Sequence, residues 1–230
     1  PENGRLVLSS CQDRIGQGEF VFNNQDFSFA CDDFCDKADA DLEILPTLID
    51  ADRGDASKAK PRRWLESYGG RTNVSGVDSM VEAFQCYGPQ GVSGCGFESH
   101  LEAMYLSLAA ASDPGANHYG FIRDNALLSV VFISDETDCS ASKLGGEIFT
   151  PANKTFWHDP DDRITSAICW NAGVACSGDG PTYSDCKSEN YGLDGTPGVP
   201  DDQAVLQPLS RYINFLQKLE DAKNDAKNDA

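Results

Sequence analysis

Basic residues are scarce in this chain. Its 18 Lys and Arg stand against 37 Asp and Glu, a net charge of -19 with a sequence pI near 4.3. That balance argues against nucleic acid and against an anionic membrane surface, because phosphates are bound by clustered cations. It suits solubility and the collection of divalent cations. No run of about 18 apolar residues occurs, so neither a transmembrane helix nor membrane insertion is expected, and no signal peptide is visible. The three histidines, His100, His118 and His158, are scattered and no C-x-x-C pair occurs, which argues against zinc. The G-x-S-x-G, H-E-x-x-H and phosphate-loop patterns are absent, and the chain reads as a non-enzyme.

Cysteine is abundant. Nine of them stand at positions 11, 31, 35, 86, 95, 139, 169, 176 and 186. Without metal-site spacing, they read as disulfides made in an oxidising compartment, which makes the protein secreted or cell-surface. Cys31 with Cys35 and Cys86 with Cys95 are the natural short loops. Cys139, Cys169, Cys176 and Cys186 supply two more bridges of open connectivity, which leaves Cys11 over. The length of 230 residues fits one large domain or two small ones. The reading here is one domain over 1–220, with a disulfide-rich insertion at 139–204 and a polar tail at 221–230.

Residues 5–9 and 19–22 read as strands, and 26–60 as an irregular excursion. Val77, Met80, Val81 and Phe84 recur at helical spacing and predict a buried stripe. Ser99-His-Leu-Glu102 has the form of a capping box, in which Ser99 and Glu102 satisfy each other's free backbone donors. Leu101, Met104, Tyr105 and Leu108 follow as that helix's buried face. Residues 126–133, Ala-Leu-Leu-Ser-Val-Val-Phe-Ile, form a continuous apolar run, the pattern of a strand covered on both faces in a parallel sheet. A short strand is expected at 164–170. Residues 208–220 predict a last helix with Leu209, Tyr212, Ile213, Leu216 and Leu219 on one face. The order strand, helix, helix, strand, helix predicts an α/β fold with a doubly wound, mostly parallel sheet.

Two loops carry the candidate chemistry. The apolar run ends in Ser134-Asp-Glu-Thr-Asp138, where open α/β sheets bind their ligands. Gly69-Gly-Arg-Thr-Asn73 precedes the first helix and offers the oxygens of Thr72 and Asn73; simple helix capping by Asn73 or Ser75 is the plainer alternative. Together these loops resemble the von Willebrand factor type A domain. A closer resemblance is to a cysteine-rich subset from bacterial secreted and cell-envelope proteins, carried by residues 83–99, 119–126, 134–140 and 169–176. The resemblance implies a metal-ion-dependent adhesion site above the strand ends, with Thr72 and Asp135 as metal-facing residues, Ser134, Asp138 and Asn73 in support of them, and Mg²⁺ or Ca²⁺ as the ion. The family's first strand and its Asp-x-Ser-x-Ser loop have no counterpart here; Asp26-Phe-Ser-Phe-Ala matches only the first half. The site is therefore incomplete: either a companion chain or segment completes the sheet, or the chain is a fragment of a larger one, and Cys11 fits a lost partner cysteine.

The resulting expectation is a secreted or cell-surface adhesion module that binds a protein ligand. A structural envelope or filament protein with no working metal site is the second reading. A secreted metal-dependent hydrolase using Asp135 and Asp138 is the third. Asp159-Pro-Asp-Asp162 reads as a solvated turn, with Ca²⁺ binding as the alternative, and Trp157-His158 as a surface pair.

Overall fold

A computed structural model describes residues 8–94, 96–124, 126–158, 163–178 and 182–228. Residues 5–7 of the first expected strand, Cys95 and the 159–162 carboxylates lie outside them. The chain divides into two compact units. The first comprises 1–94 and 107–123, and the second 95–106 and 124–230.

In the first unit, α1 (Cys11–Ile15) is followed by the hairpin β1 (Val21–Phe22) and β2 (Gln25–Asp26), then α2 (Phe29–Asp32). Two further hairpins pair β3 (Pro46–Thr47) with β4 (Lys60–Pro61) and β5 (Ser67–Tyr68) with β6 (Arg71–Thr72). The helix α3 (Met80–Tyr87) closes the series. The core gathers Phe20, Leu42, Val74, Ala83 and Tyr87 around four cysteines. These pair as Cys11–Cys31 and Cys35–Cys86. Neither of the expected short loops forms, and Cys11 has a partner within the chain. The reason is packing: all four sulfurs lie in one buried cluster, where helices α1, α2 and α3 meet. A core this small gains from such staples, because each removes loop entropy from the unfolded chain.

The expected stripe is only half buried. Val77 packs against the core and Met80 is half-buried, but Val81 and Phe84 are exposed, and Ala83, Cys86 and Tyr87 form the buried face of α3 instead. The helix begins with a capping pair displaced from the expected site: Ser79 Oγ accepts from the Glu82 N–H at 3.1 Å, and the Glu82 carboxylate accepts from the Asp78 N–H at 2.8 Å.

Helix α4 (His100–Ala111) contributes residues 100–106 to the second unit and 107–111 to the first. The second unit continues with α5 (Ala167–Gly173), the hairpin β7 (Val174–Ser177) and β8 (Ser184–Ser188), and α6 (Leu209–Asn228). The strand expected at 164–170 is replaced by α5. Residues 221–228 of the expected tail prolong α6. The region 139–204 is no mere insertion held by bridges. Ile148, Phe156, Ile168, Ala172 and Val205 form its own core, stapled by Cys139–Cys169 and Cys176–Cys186. Packing is close enough that a Cβ on Gly145 would lie 1.9 Å from the Val205 carbonyl oxygen, so only glycine fits.

The doubly wound parallel sheet is not the fold. Among the described residues the strands form four separate two-stranded antiparallel sheets. A parallel sheet needs several buried apolar strands side by side. Here the other strand-like runs are satisfied locally, 19–22 in a hairpin turn and 164–170 in α5. Among the described residues, 126–133 pairs with no other strand.

Candidate functional site

The second unit brings one part of the sequence-derived site into contact with the start of α4. That helix's free N–H groups are not satisfied by Ser99, whose hydroxyl donates instead to the Cys139 carbonyl at 3.0 Å. They are satisfied from residues 138–140. Asp138 Oδ1 accepts from the Leu101 N–H at 2.9 Å, and Ser140 Oγ accepts from the Glu102 N–H at 3.0 Å. Asp138 also accepts from the Ser140 N–H at 3.1 Å and the Ser140 hydroxyl at 2.9 Å. A carboxylate at a helix N-terminus meets both the unpaired donors and the positive end of the helix dipole. The Cys139–Cys169 bridge pins the segment between the two caps.

Glu102, freed from the expected box, takes a different role. Arg211 of α6 grips it through Nε and Nη2 at 3.0 and 2.8 Å, and the Tyr212 hydroxyl donates to it at 3.1 Å. The Arg211 guanidinium lies 3.8 Å above the Tyr105 ring. Burial, reinforced by the Glu102 charge, pushes the Tyr212 phenol well above its ordinary range.

The remaining members of the candidate site are dispersed. Ser134 Oγ donates to Glu98 at 3.1 Å and accepts from the Glu136 N–H at 3.1 Å. His100 lies between the Glu98 and Asp138 carboxylates, at 3.7 and 3.9 Å. Asp135 is exposed at the tip of the turn. Thr72 belongs to the first unit, where its Oγ1 accepts from the Val74 N–H at 3.3 Å. Asn73 is buried and clasps its own hairpin, accepting from the Glu66 N–H at 2.7 Å and donating to the Trp64 carbonyl at 2.8 Å. Among the described residues, no group of three or more His, Cys, Asp or Glu side chains is placed to hold a metal ion.

The most unusual surface is the apolar run that leads into this turn. Leu127 is 94% exposed, Val131 75% and Ile133 90%, while Val130 and Phe132 between them are 38% and 46% exposed. Exposure alternates with a period of two, the signature of an extended backbone. Among the described residues, 126–133 joins no strand or bridge and makes no backbone–backbone hydrogen bond. Its inner side borders a cleft of about 710 Å³, walled by Leu128 and Val130 opposite Leu216 and Leu219 of α6. A smaller cleft, about 570 Å³, opens beside Thr137 and Asp138 and is lined by Glu189 and Asp201 among others.

Comparison with protein-family models, with curated proteins and with solved structures finds no match for this chain, and nothing in it identifies a von Willebrand A domain. Sequence reasoning missed Glu98, His100 and Ser140 as neighbours of Asp138. The Asp138-x-Ser140 spacing held one usable signal, since an aspartate often accepts from the backbone N–H two residues on.

Proposed function

We propose that this chain is a secreted or cell-surface protein-binding module whose contact element is the exposed segment 126–133. The observation that carries the reading is the placement of Leu127, Val131 and Ile133 in water on one face of an extended backbone that is unpaired among the described residues. Burying each of those side chains is worth about 1.5–3 kcal/mol, so the three together offer about 5–9 kcal/mol toward association. Large exposed apolar patches mark interaction surfaces. Four disulfides, which persist where thiols are oxidised, support the compartment. No helix of the described residues is long and apolar enough to cross a membrane.

A cation-assisted form of this reading, with Mg²⁺ or Ca²⁺ at Asp135 and Ser134, has less in its favour. Asp138 already accepts three hydrogen bonds within the fold. Ser134 is tied to Glu98 and Glu136.

The test is site-specific photo-crosslinking. A photoreactive residue at position 131 is expected to trap a partner protein from the extracellular and envelope fractions of the source cells. The same residue at position 185, an exposed aspartate far along the sequence, should not trap it. Equal adducts at the two positions, or none at 131, would refute the assignment.

A further inference from the structure

The unpaired backbone of 126–133 and the charges at its ends together specify what covers it. Apolar side chains alone would be covered equally well by a helix, a loop or another sheet. An extended main chain that makes no backbone–backbone hydrogen bond among the described residues is different: water satisfies its N–H and C=O groups in the free chain, and another extended main chain can replace that water in register. Leu127, Val131 and Ile133 point to one side, and Val130 and Phe132 are more covered on the other. The backbone edges between these sides are what remains to be paired. The cleft of about 710 Å³ beside 126–130, also lined by Leu216 and Leu219, leaves room for the side chains of an added strand.

Charge narrows the occupant. The segment runs out into exposed Asp135 and Glu136, with Glu98 held beside them through Ser134. Asp124, Glu220 and Lys223 line the cleft itself, two carboxylates against one ammonium. A second copy of this chain is itself acidic, with a net charge of -19. In parallel register it would set Asp135 and Glu136 against themselves, and antiparallel pairing centred on 126–133 would set Asp135 against Asp124, with Glu136 against Arg123 as its one favourable pair. Like charges placed side by side across a strand pair are destabilising, and opposite charges stabilise it.

We infer that 126–133 is an acceptor for strand addition, and that its partner is an extended apolar segment of another protein flanked by lysine or arginine. This rests on the protein-binding reading above and specifies its mode. Backbone hydrogen bonds to 126–133 supply affinity, alternate apolar side chains of the partner pack beside Leu216 and Leu219, and its basic flank meets Asp135 and Glu136.

The experiment uses the whole chain and three synthetic peptides, read by fluorescence anisotropy. The first has six alternating valines and threonines between two pairs of lysines. The second carries glutamates in place of the lysines. The third repeats the first with alternate backbone nitrogens methylated, which removes donors and leaves the side chains. The lysine peptide is expected to bind, and the other two at least tenfold more weakly. Val131→Asp is expected to lose at least tenfold for the lysine peptide although it adds a negative charge, because the apolar face is broken; its melting temperature should match wild type. Absence of binding by the lysine peptide overturns the proposal. Equal binding of the methylated peptide overturns strand addition, and equal binding of the glutamate peptide overturns the basic flank. A wild-type dimer in sedimentation that Val131→Asp disperses makes a second copy the occupant and also overturns it. In each of those cases, adducts confined to position 131 would leave the broader protein-binding reading standing; their absence would sink both.

Discussion

Replacing Asp138 by alanine separates a structural carboxylate from an exposed one. The substitution removes the acceptor of the Leu101 N–H and both acceptors used by Ser140, which is 1% exposed. Loss of a helix cap costs about 1 kcal/mol, and leaving buried donors unpaired costs about 1–3 kcal/mol more. The sum is about 3 kcal/mol. At about 4 °C per kcal/mol for a body of this size, the melting transition should fall by about 12 °C. Asp135→Ala, at an exposed position, should change stability by less than about 0.5 kcal/mol. Scanning calorimetry of both variants, with and without Mg²⁺ or Ca²⁺, reads the difference. A cation held by the folded chain at a hundred times its Kd would add about 2.7 kcal/mol. Equal melting of the two variants would refute the capping role. A cation-dependent rise in wild type that Asp135→Ala abolishes would restore the metal site.

Other outcomes follow from the cores. Non-reducing peptide mapping should find Cys11–Cys31 and Cys35–Cys86, and a Cys31–Cys35 or Cys86–Cys95 bridge would contradict the first unit's packing. The closed separations are 51 for Cys35–Cys86 and 10 for Cys176–Cys186. Chemical denaturation should therefore show about 4 kcal/mol lost without the former and about 3 kcal/mol without the latter. Asn73→Leu should cost about 2 kcal/mol by urea unfolding, since it strands the Glu66 N–H and the Trp64 carbonyl; an unchanged midpoint would contradict that clasp. Tyr212 is raised in the fold above its ordinary value of 10.0. Its contribution is thus complete below that pH and is lost as pH climbs past it, where the unfolded chain ionises first. Tyr212→Phe should flatten the fall in stability above pH 10, and an equally steep fall would contradict the assignment.

Local signals were legible in proportion to how locally they are satisfied. The start of α4 at His100 was readable from a polar residue before an apolar periodicity, yet its caps come from Asp138 and Ser140, nearly forty residues on, which no local pattern encodes. The equivalent pattern Ser79-Met-Val-Glu82 is satisfied locally, with Ser79 accepting from the Glu82 N–H and the Glu82 carboxylate accepting from the N–H of Asp78, one residue before the cap. Half of the stripe on α3 points outward because disulfide-bonded Cys86 and small Ala83 outrank Val81 and Phe84 as core contacts in that cluster. The extended character of 126–133 was legible from its composition. Its pairing was not, because a strand is defined by its neighbours, and the parallel sheet fell with them. Cysteine spacing indicated oxidation but not partners: in the first unit, the bridges join sulfurs brought together by helices, over separations of 20 and 51.

Amide hydrogen exchange of 127–133, followed by mass spectrometry, tests the central claim most directly. An extended segment with no backbone–backbone hydrogen bond among the described residues should exchange at nearly the intrinsic rate in the free chain, while the Met104–Leu108 stretch of α4 is protected. Addition of the lysine-flanked peptide should slow exchange across 127–133 and leave β7–β8 unchanged. Protection of 127–133 in the free chain equal to that of α4 would show the segment already paired, and would contradict its role as the binding element.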